Sequence, residues 1–339
     1  MKRPSQMMTF DTLYGLAARD GRGEALFGNT IELARPAFER TLIGNECPKV
    51  YVEFPLVGDP CFDILSVYPS VEPGAQFATG AGFGYQPMMD WFSHLKGEGA
   101  LPSCGIEVDC STGETERAGV YLQQRSCHEY VVPFLESVNE SERAASYLDV
   151  LDRLPGGWPG AYVGLFPGRE GAPMRIGGYP TREGHRACAD DPAELGRLFD
   201  AVGYTAYDRQ MLERCSVFMR LAPSIDFQFD IMPDGTLGDT FGLSLSFNET
   251  KPRVARECME SGYGARLMER LKSWGLADDR WHLIAGAPFA RLVPFKREDG
   301  SEGRFALCVL LNYAKVKFTG GEATHSKFYF KLVGTEVEV

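Results

Sequence analysis

The sequence predicts an α+β fold in which ten antiparallel strands close into a single barrel wrapped by helices. Three observations predict it. Five strand–turn–strand hairpins recur along the 339 residues, segments of helical period lie between them, and hairpin strands divide into an apolar row and an ionisable row.

The first hairpin pairs KVYVEFPL (49–56) with FDILSVYP (62–69) across Val57-Gly58-Asp59-Pro60-Cys61. The second pairs CGIEVDC (104–110) with RAGVYLQQ (117–124) across a Ser-Thr-Gly-Glu turn. In the third, AYVGLFP (161–167) and MRIGGYP (174–180) flank Gly168-Arg169-Glu170-Gly171, residues that tolerate the backbone of a tight turn. The fourth joins SIDFQFDI (224–231) to TFGLSLSF (240–247) through Met232-Pro233-Asp234-Gly235, and the last joins AKVKF (314–318) to SKFYFKLV (326–333). Helical period appears over 29–43, 85–96, 129–154, 192–221 and 251–275, with Asn29 and Asp191 as N-caps. Segment 281–312 carries Pro288, Pro294 and KREDGSEGR, and reads as an irregular insertion with a surface loop.

Ten antiparallel strands accumulate twist, and closing them into a ring removes the exposed edges. Residues 1–28 read as an N-terminal extension and 29–339 as one domain. The same element order also allows two α+β domains split near residue 190.

Composition narrows the function. With 44% hydrophobic and 24% charged residues the chain is an ordinary folded protein, and its net charge of -11 repels phosphate backbones, so nucleic acid is not an expected partner. Nothing approaches the roughly 20 apolar residues of a membrane span, and Met1 to Asp20 lacks the apolar core of a secretory signal, which together predict a cytoplasmic protein. The nine cysteines include no CxxC pair, and the five histidines show no HxxxH or HExxH spacing, so no metal site is expected from them. A hydrolase lacks support, since there is no GxSxG elbow.

Strand alternation then sorts side chains. Ile225, Phe227, Phe229 and Ile231 form one row and Asp226, Gln228 and Asp230 the other; Lys315 and Lys317 share a row, as do Lys327, Tyr329 and Lys331. In an open sandwich the polar row would face water. If helices cover the outside instead, the apolar rows face them and the polar rows line a lumen wide enough to hold ligands. That lumen would receive Tyr68, Arg117, Tyr121, Arg175, Tyr179, Lys327, Tyr329 and Lys331 from the second strands. First strands would add Tyr51, Glu53, Glu107, Asp109, Asp226, Gln228 and Asp230.

On these residues the chain resembles the ABBA prenyltransferases, whose ten-stranded PT barrel is built from helix–strand–strand repeats and holds both substrates. The order of elements matches over about residues 30–333; Lys327-Phe328-Tyr329-Phe330 resembles the lysine-x-tyrosine strands of the indole branch, and FDIMPDG (229–235) resembles its fourth hairpin. FDILSVYP resembles the first-repeat strand of the soluble aromatic branch, in which an aspartate, here Asp63, can help hold magnesium. The sequence departs from the family at the second strands of two repeats: the fourth offers Thr240, Gly242, Ser244 and Ser246, and the first offers Ile64, Ser66 and Tyr68, with no lysine or arginine.

The resemblance implies transfer of an isoprenoid unit from an allylic diphosphate, dimethylallyl or geranyl, to an aromatic small molecule or a peptide side chain. Arg117, Arg175, Lys315, Lys317, Lys327 and Lys331 would stabilise the departing diphosphate. Tyr68, Tyr121, Tyr179 and Tyr329 would shield the allylic cation. Glu53 or Glu107 would take the acceptor's proton. Mg2+ would be an optional companion of the diphosphate. No DDxxD-type cluster points to the helical isoprenoid synthases. The competing expectation is a ligand- or peptide-binding barrel of the same shape that has lost the diphosphate site and does not catalyse.

Overall fold

A computed structural model describes residues 8–29, 31–43, 48–77, 85–95, 102–110, 118–124, 128–247, 251–297 and 299–337. Its strands are β1 (Lys49–Pro55), β2 (Asp63–Tyr68), β3 (Ser103–Asp109), β4 (Gly119–Gln123), β5 (Gly160–Leu165), β6 (Met174–Gly178), β7 (Ser224–Ile231), β8 (Leu237–Ser246), β9 (Phe289–Lys296), β10 (Glu302–Thr319) and β11 (Glu322–Val337). Each pairs antiparallel with its neighbour in the order β11-β1-β2-β3-β4-β5-β6-β7-β8-β10-β9, and β10 also pairs with β11. That last pairing closes ten strands into a ring and leaves β9 outside it.

The ring is the predicted barrel, and four of its hairpins fall where the turn residues place them. Segment 281–312 is a correction. It forms β9 and the first half of an 18-residue β10, not an irregular insertion. Residues Glu302 to Val309 of β10 pair with Lys296 to Phe289, while Tyr313 to Thr319 pair with β8. Pro294 sits on β9, where its missing N–H costs no ladder bond because β9 is an edge strand. The last hairpin is therefore far longer than 314–333 and extends past the ring as a three-stranded flange.

Helices cover the outside. They are α1 (Phe10–Ala17), α2 (Arg22–Phe27), α3 (Ile31–Thr41), α4 (Gln86–Ser93), α5 (His128–Ser137), α6 (Ala144–Arg153), α7 (Arg182–Asp190), α8 (Pro192–Val202), α9 (Arg209–Leu221), α10 (Pro252–Glu260) and α11 (Tyr263–Ser273). Asp191 caps α8 as expected, accepting from the Ala193 amide at 2.9 Å. Asn29 stands before residue 30, which lies outside the described residues. The long periodic segments are divided by left-handed residues: Asn139 between α5 and α6, and Gly203 after α8. None of the described helices is long and apolar enough to cross a membrane.

Between helices and ring lies the core. Outward residues Val50, Val52, Phe54, Ile64, Phe227, Phe229, Phe241, Phe328 and Phe330 are buried, and aromatic pairs such as Phe54–Phe330 (5.1 Å) and Phe199–Phe241 (4.9 Å) join strand to strand and strand to helix. Each such side chain is worth roughly 1.5–3 kcal/mol of burial. Apolar rows thus face out, and the ionisable rows face in.

Two glycines make room inside. A Cβ on Gly164 would lie 2.5 Å from the Tyr121 ring, and one on Gly177 would meet the Tyr162 ring at 2.1 Å and the Phe227 carbonyl at 2.4 Å. Gly177→Ala is therefore expected to cost on the order of 1–3 kcal/mol, since the backbone carbonyl cannot swing away. Gly156→Ala, with nothing within 4 Å, should leave the melting temperature almost unchanged. Thermal melts of the two variants check this.

Candidate functional site

The inward rows enclose a cavity of about 410 Å3. Its wall includes Tyr51, Glu53, Glu107, Tyr121, Arg175, Tyr179, Asp226, Gln228, Lys315, Lys317, Lys327 and Tyr329, so most of the expected site residues converge on one chamber. Lys331 follows Lys327 and Tyr329 on the same strand row, half-buried, with its ammonium 5.9 Å from the Tyr51 ring centre. Arg117 lies outside the described residues.

Tyr68 is a correction. Its ring is fully buried on the outer face of β2, and its hydroxyl donates to the Thr41 carbonyl of α3 at 2.6 Å. The inward row of β2 is Asp63, Leu65 and Val67, two of which line the cavity. The rows Asp63/Leu65/Val67 and Ile64/Ser66/Tyr68 are nearly equal in polarity. Packing of α3, where Ser66 also meets the Thr41 hydroxyl at 2.9 Å, decides between them. Tyr68 is therefore no part of a cation shield.

Charges in the chamber are arranged as linked groups. Lys327 donates to Glu53, diagonally across from it on β1, and to Asp63 at 3.2 Å. Burial alone would push the Glu53 carboxyl up, but the Lys327 ammonium and hydrogen bonds from Lys327 and Tyr329 hold it below the ordinary value. Burial and the charge of Glu53 push Asp63 up to about 8. One ammonium neutralises one carboxylate, so Glu53 is ionised and Asp63 keeps its proton at neutral pH.

A second group holds Arg175, which donates to the Tyr121 hydroxyl at 2.6 Å and pairs with Asp230 at 3.6 Å. Burial works against its charge, yet Tyr121, Glu107 and Asp230 more than compensate and keep the guanidinium protonated. Glu107 is hydrogen-bonded to Tyr121 from the other side. Lys315 donates to the Gln228 amide oxygen at 2.5 Å; burial and the nearby Arg175 lower its affinity for a proton. Lys317 and His325 face each other across β10 and β11 on the cavity wall.

Several lining residues were not singled out from sequence. Tyr162 stands on β5 between the outward Ala161 and Val163, so alternation alone could have found it. Tyr313 was hidden by the misread start of β10; its ring lies 4.1 Å from that of Tyr329. Gln123 on β4 donates to the hydroxyl of Tyr179, just past β6, at 2.6 Å, and both line the cavity. Asp63, given to magnesium by resemblance, is instead engaged by Lys327. Among the described residues no group of three or more His, Cys, Asp or Glu is disposed to hold a metal ion.

Because the folded chain holds the Asp63 proton to about pH 8 while an unfolded chain releases it near 3.8, this group stabilises the fold most at low pH. That contribution is lost as pH rises between those two values. Asp63→Asn should therefore flatten the fall in melting temperature of the native chain between about pH 5 and 8, with its largest relative gain at the alkaline end. Parallel melts across that range measure it.

No family model and no curated protein sequence matches the chain. Solved structures do. The crystal structure of 5-dimethylallyltryptophan synthase from Streptomyces coelicolor superposes with a TM-score of 0.50 at 14% identity, covering 95% of this chain and 97% of that one. A second structure of that enzyme, in complex with DMASPP and Trp, gives 0.50 at 15% identity over 95% and 94%. Prenyltransferase PriB, in a ternary complex with L-tryptophan and dimethylallyl thiolodiphosphate, gives 0.50 at 12% identity over 94% and 95%. A closed ring of ten antiparallel strands, helices outside and a polar chamber within, matched end to end by these structures, is the ABBA prenyltransferase fold.

Proposed function

We propose that the chain transfers a prenyl group from an allylic diphosphate, dimethylallyl or geranyl, to an aromatic acceptor held in the same chamber. The observation that carries the reading is the convergence of Arg175, Lys315, Lys317 and Lys327 with a wall of tyrosines and a buried, ionised Glu53 in one cavity. The solved neighbours that bind dimethylallyl thiolodiphosphate or DMASPP together with tryptophan support it.

The chemistry assigns each group a task. The bond between the allylic carbon and the diphosphate oxygen breaks, and both electrons leave with the diphosphate. Arg175, Lys315, Lys317 and Lys327 stabilise that growing charge, with Lys331 at the edge. Faces of Tyr121, Tyr179, Tyr329, Tyr162 and Tyr313 keep water from the allylic cation and stabilise it. An acceptor electron pair forms the new bond, and Glu53 takes the proton that the acceptor loses. A diphosphate oxygen drawing Lys327 toward itself weakens its hold on Glu53, which raises the basicity of Glu53 when the donor is bound. Glu107, tied to Tyr121 and the Arg175 group, is the second candidate base. Mg2+ is an optional companion of the diphosphate and not a ligand of Asp63, which Lys327 engages. A peptide side chain remains an acceptor to be tried alongside free aromatic molecules.

One observation favours a different reading, a binding barrel that does not catalyse. Lys327 is already shared by Glu53 and Asp63, and Arg175 is matched by Asp230. A diphosphate must compete with these acids.

Incubation with dimethylallyl or geranyl diphosphate plus tryptophan, tyrosine or short peptides, with and without Mg2+, is expected to release diphosphate and yield a prenylated acceptor. Absence of diphosphate release with every pairing would refute the transferase and leave the binding barrel. Glu53→Gln should lower kcat by about 10²-fold or more. Lys315→Met should lower kcat by about 10²-fold and raise KM for the donor, with the melting temperature unchanged or higher because a buried ammonium is removed.

A further inference from the structure

Asp226 is the carboxylate that the scheme above leaves without a task. It stands on the inward row of β7, on the cavity wall, with 7% of its surface exposed. Its hydrogen bond comes from the Ser244 hydroxyl, the residue directly across on β8. Among the described residues no lysine, arginine or histidine lies within ion-pair distance of it. The cation whose charge Asp226 feels, Lys315, donates a hydrogen bond to Gln228 rather than to it.

Its surroundings are aromatic. The charge of Asp226 is felt by the phenols of Tyr162 and Tyr313, both on the cavity wall, and Tyr313 stacks near Tyr329. Burial pushes the Asp226 carboxyl up only to about 6, against the pull of Ser244 and Lys315, so it is mostly ionised at neutral pH. A buried carboxylate without an ion-pair contact is costly, and a cationic ligand group reaching it would relieve that cost. The rings of Tyr162 and Tyr313 on the same wall would add attraction for the same kind of ligand.

From this placement we propose that Asp226, with Tyr162 and Tyr313, forms a subsite for a positively charged nitrogen of the acceptor, an amine or a guanidinium, and so selects basic acceptors over neutral ones. The proposal rests on the reading of the chamber as an acceptor site and names the acceptor's chemical class. The subsite draws on β5, β7, β8 and β10, whereas Glu53 and Lys327 belong to β1 and β11. Holding the basic end at Asp226 would leave the rest of the acceptor to reach toward Glu53.

The test measures binding without any donor. Calorimetric titration of the full chain at about pH 7.5, where aliphatic amines are charged, compares tryptamine with its neutral counterpart tryptophol, and tyramine with tyrosol. The native chain is expected to bind at least one amine about tenfold more tightly than its alcohol. Asp226→Asn should bring that ratio close to one while leaving the alcohol's affinity unchanged, and Asp226→Glu should keep part of the preference. A melting temperature for Asp226→Asn equal to or above that of the native chain shows that the variant is folded. Equal affinity for amine and alcohol in the native chain, an unchanged ratio in Asp226→Asn, or no binding of either amine at millimolar concentration overturns the proposal. Since no diphosphate is present, failure of prenyl transfer would defeat the enzymatic reading alone, and loss of charge preference would defeat the subsite alone.

Discussion

Ring closure is the constraint on which the rest depends. Once β11 pairs with both β1 and β10, the sheet has an inside and an outside. Helices bring apolar stripes to the outside, so the outward strand row must be apolar and the ionisable row has only the enclosed side to occupy. Water's usual role of solvating those charges passes to the charges themselves. Lys327 between Glu53 and Asp63, and Arg175 between Tyr121 and Asp230, are consequences of that enclosure.

Enclosure also sets how the chamber can work. With one ammonium serving two carboxyls, the Lys327 group holds a proton on Asp63 and a charge on Glu53, a division that burial and Coulomb attraction impose together. Any anion entering the chamber redistributes those protons. A ligand that takes Lys327 frees Glu53 to act as a base, and a ligand that brings its own positive charge finds Asp226 without an ion-pair partner among the described side chains. One chamber thus presents cations to a leaving anion and, at Asp226, a carboxylate to a basic acceptor.

The flange of β9, β10 and β11 is the main departure from five simple repeats. Its cause is local: β10 passes an irregularity between Leu311 and Tyr313, exchanging β9 for β8 as its partner on that side while staying paired with β11 throughout. Proline and a polar stretch suggested a loop, yet Pro294 is tolerated on an edge strand and the polar stretch runs from the end of β9 into the start of β10. Propensity describes the residue, and position in the sheet decides whether its missing N–H matters.

The sequence by itself determined the hairpins, their turns and the two-row character of the strands, because alternation and turn chemistry are local. It therefore placed Glu53, Glu107, Tyr121, Arg175, Lys315 and Lys327 on one face before any contact was known. Tertiary structure alone decided which face of β2 looks inward, since Asp63 and Tyr68 sit on rows of similar polarity until α3 covers one of them. It also decided which charges meet: Glu53 and Lys327 are 274 positions apart, and only the strand that closes the ring brings them together.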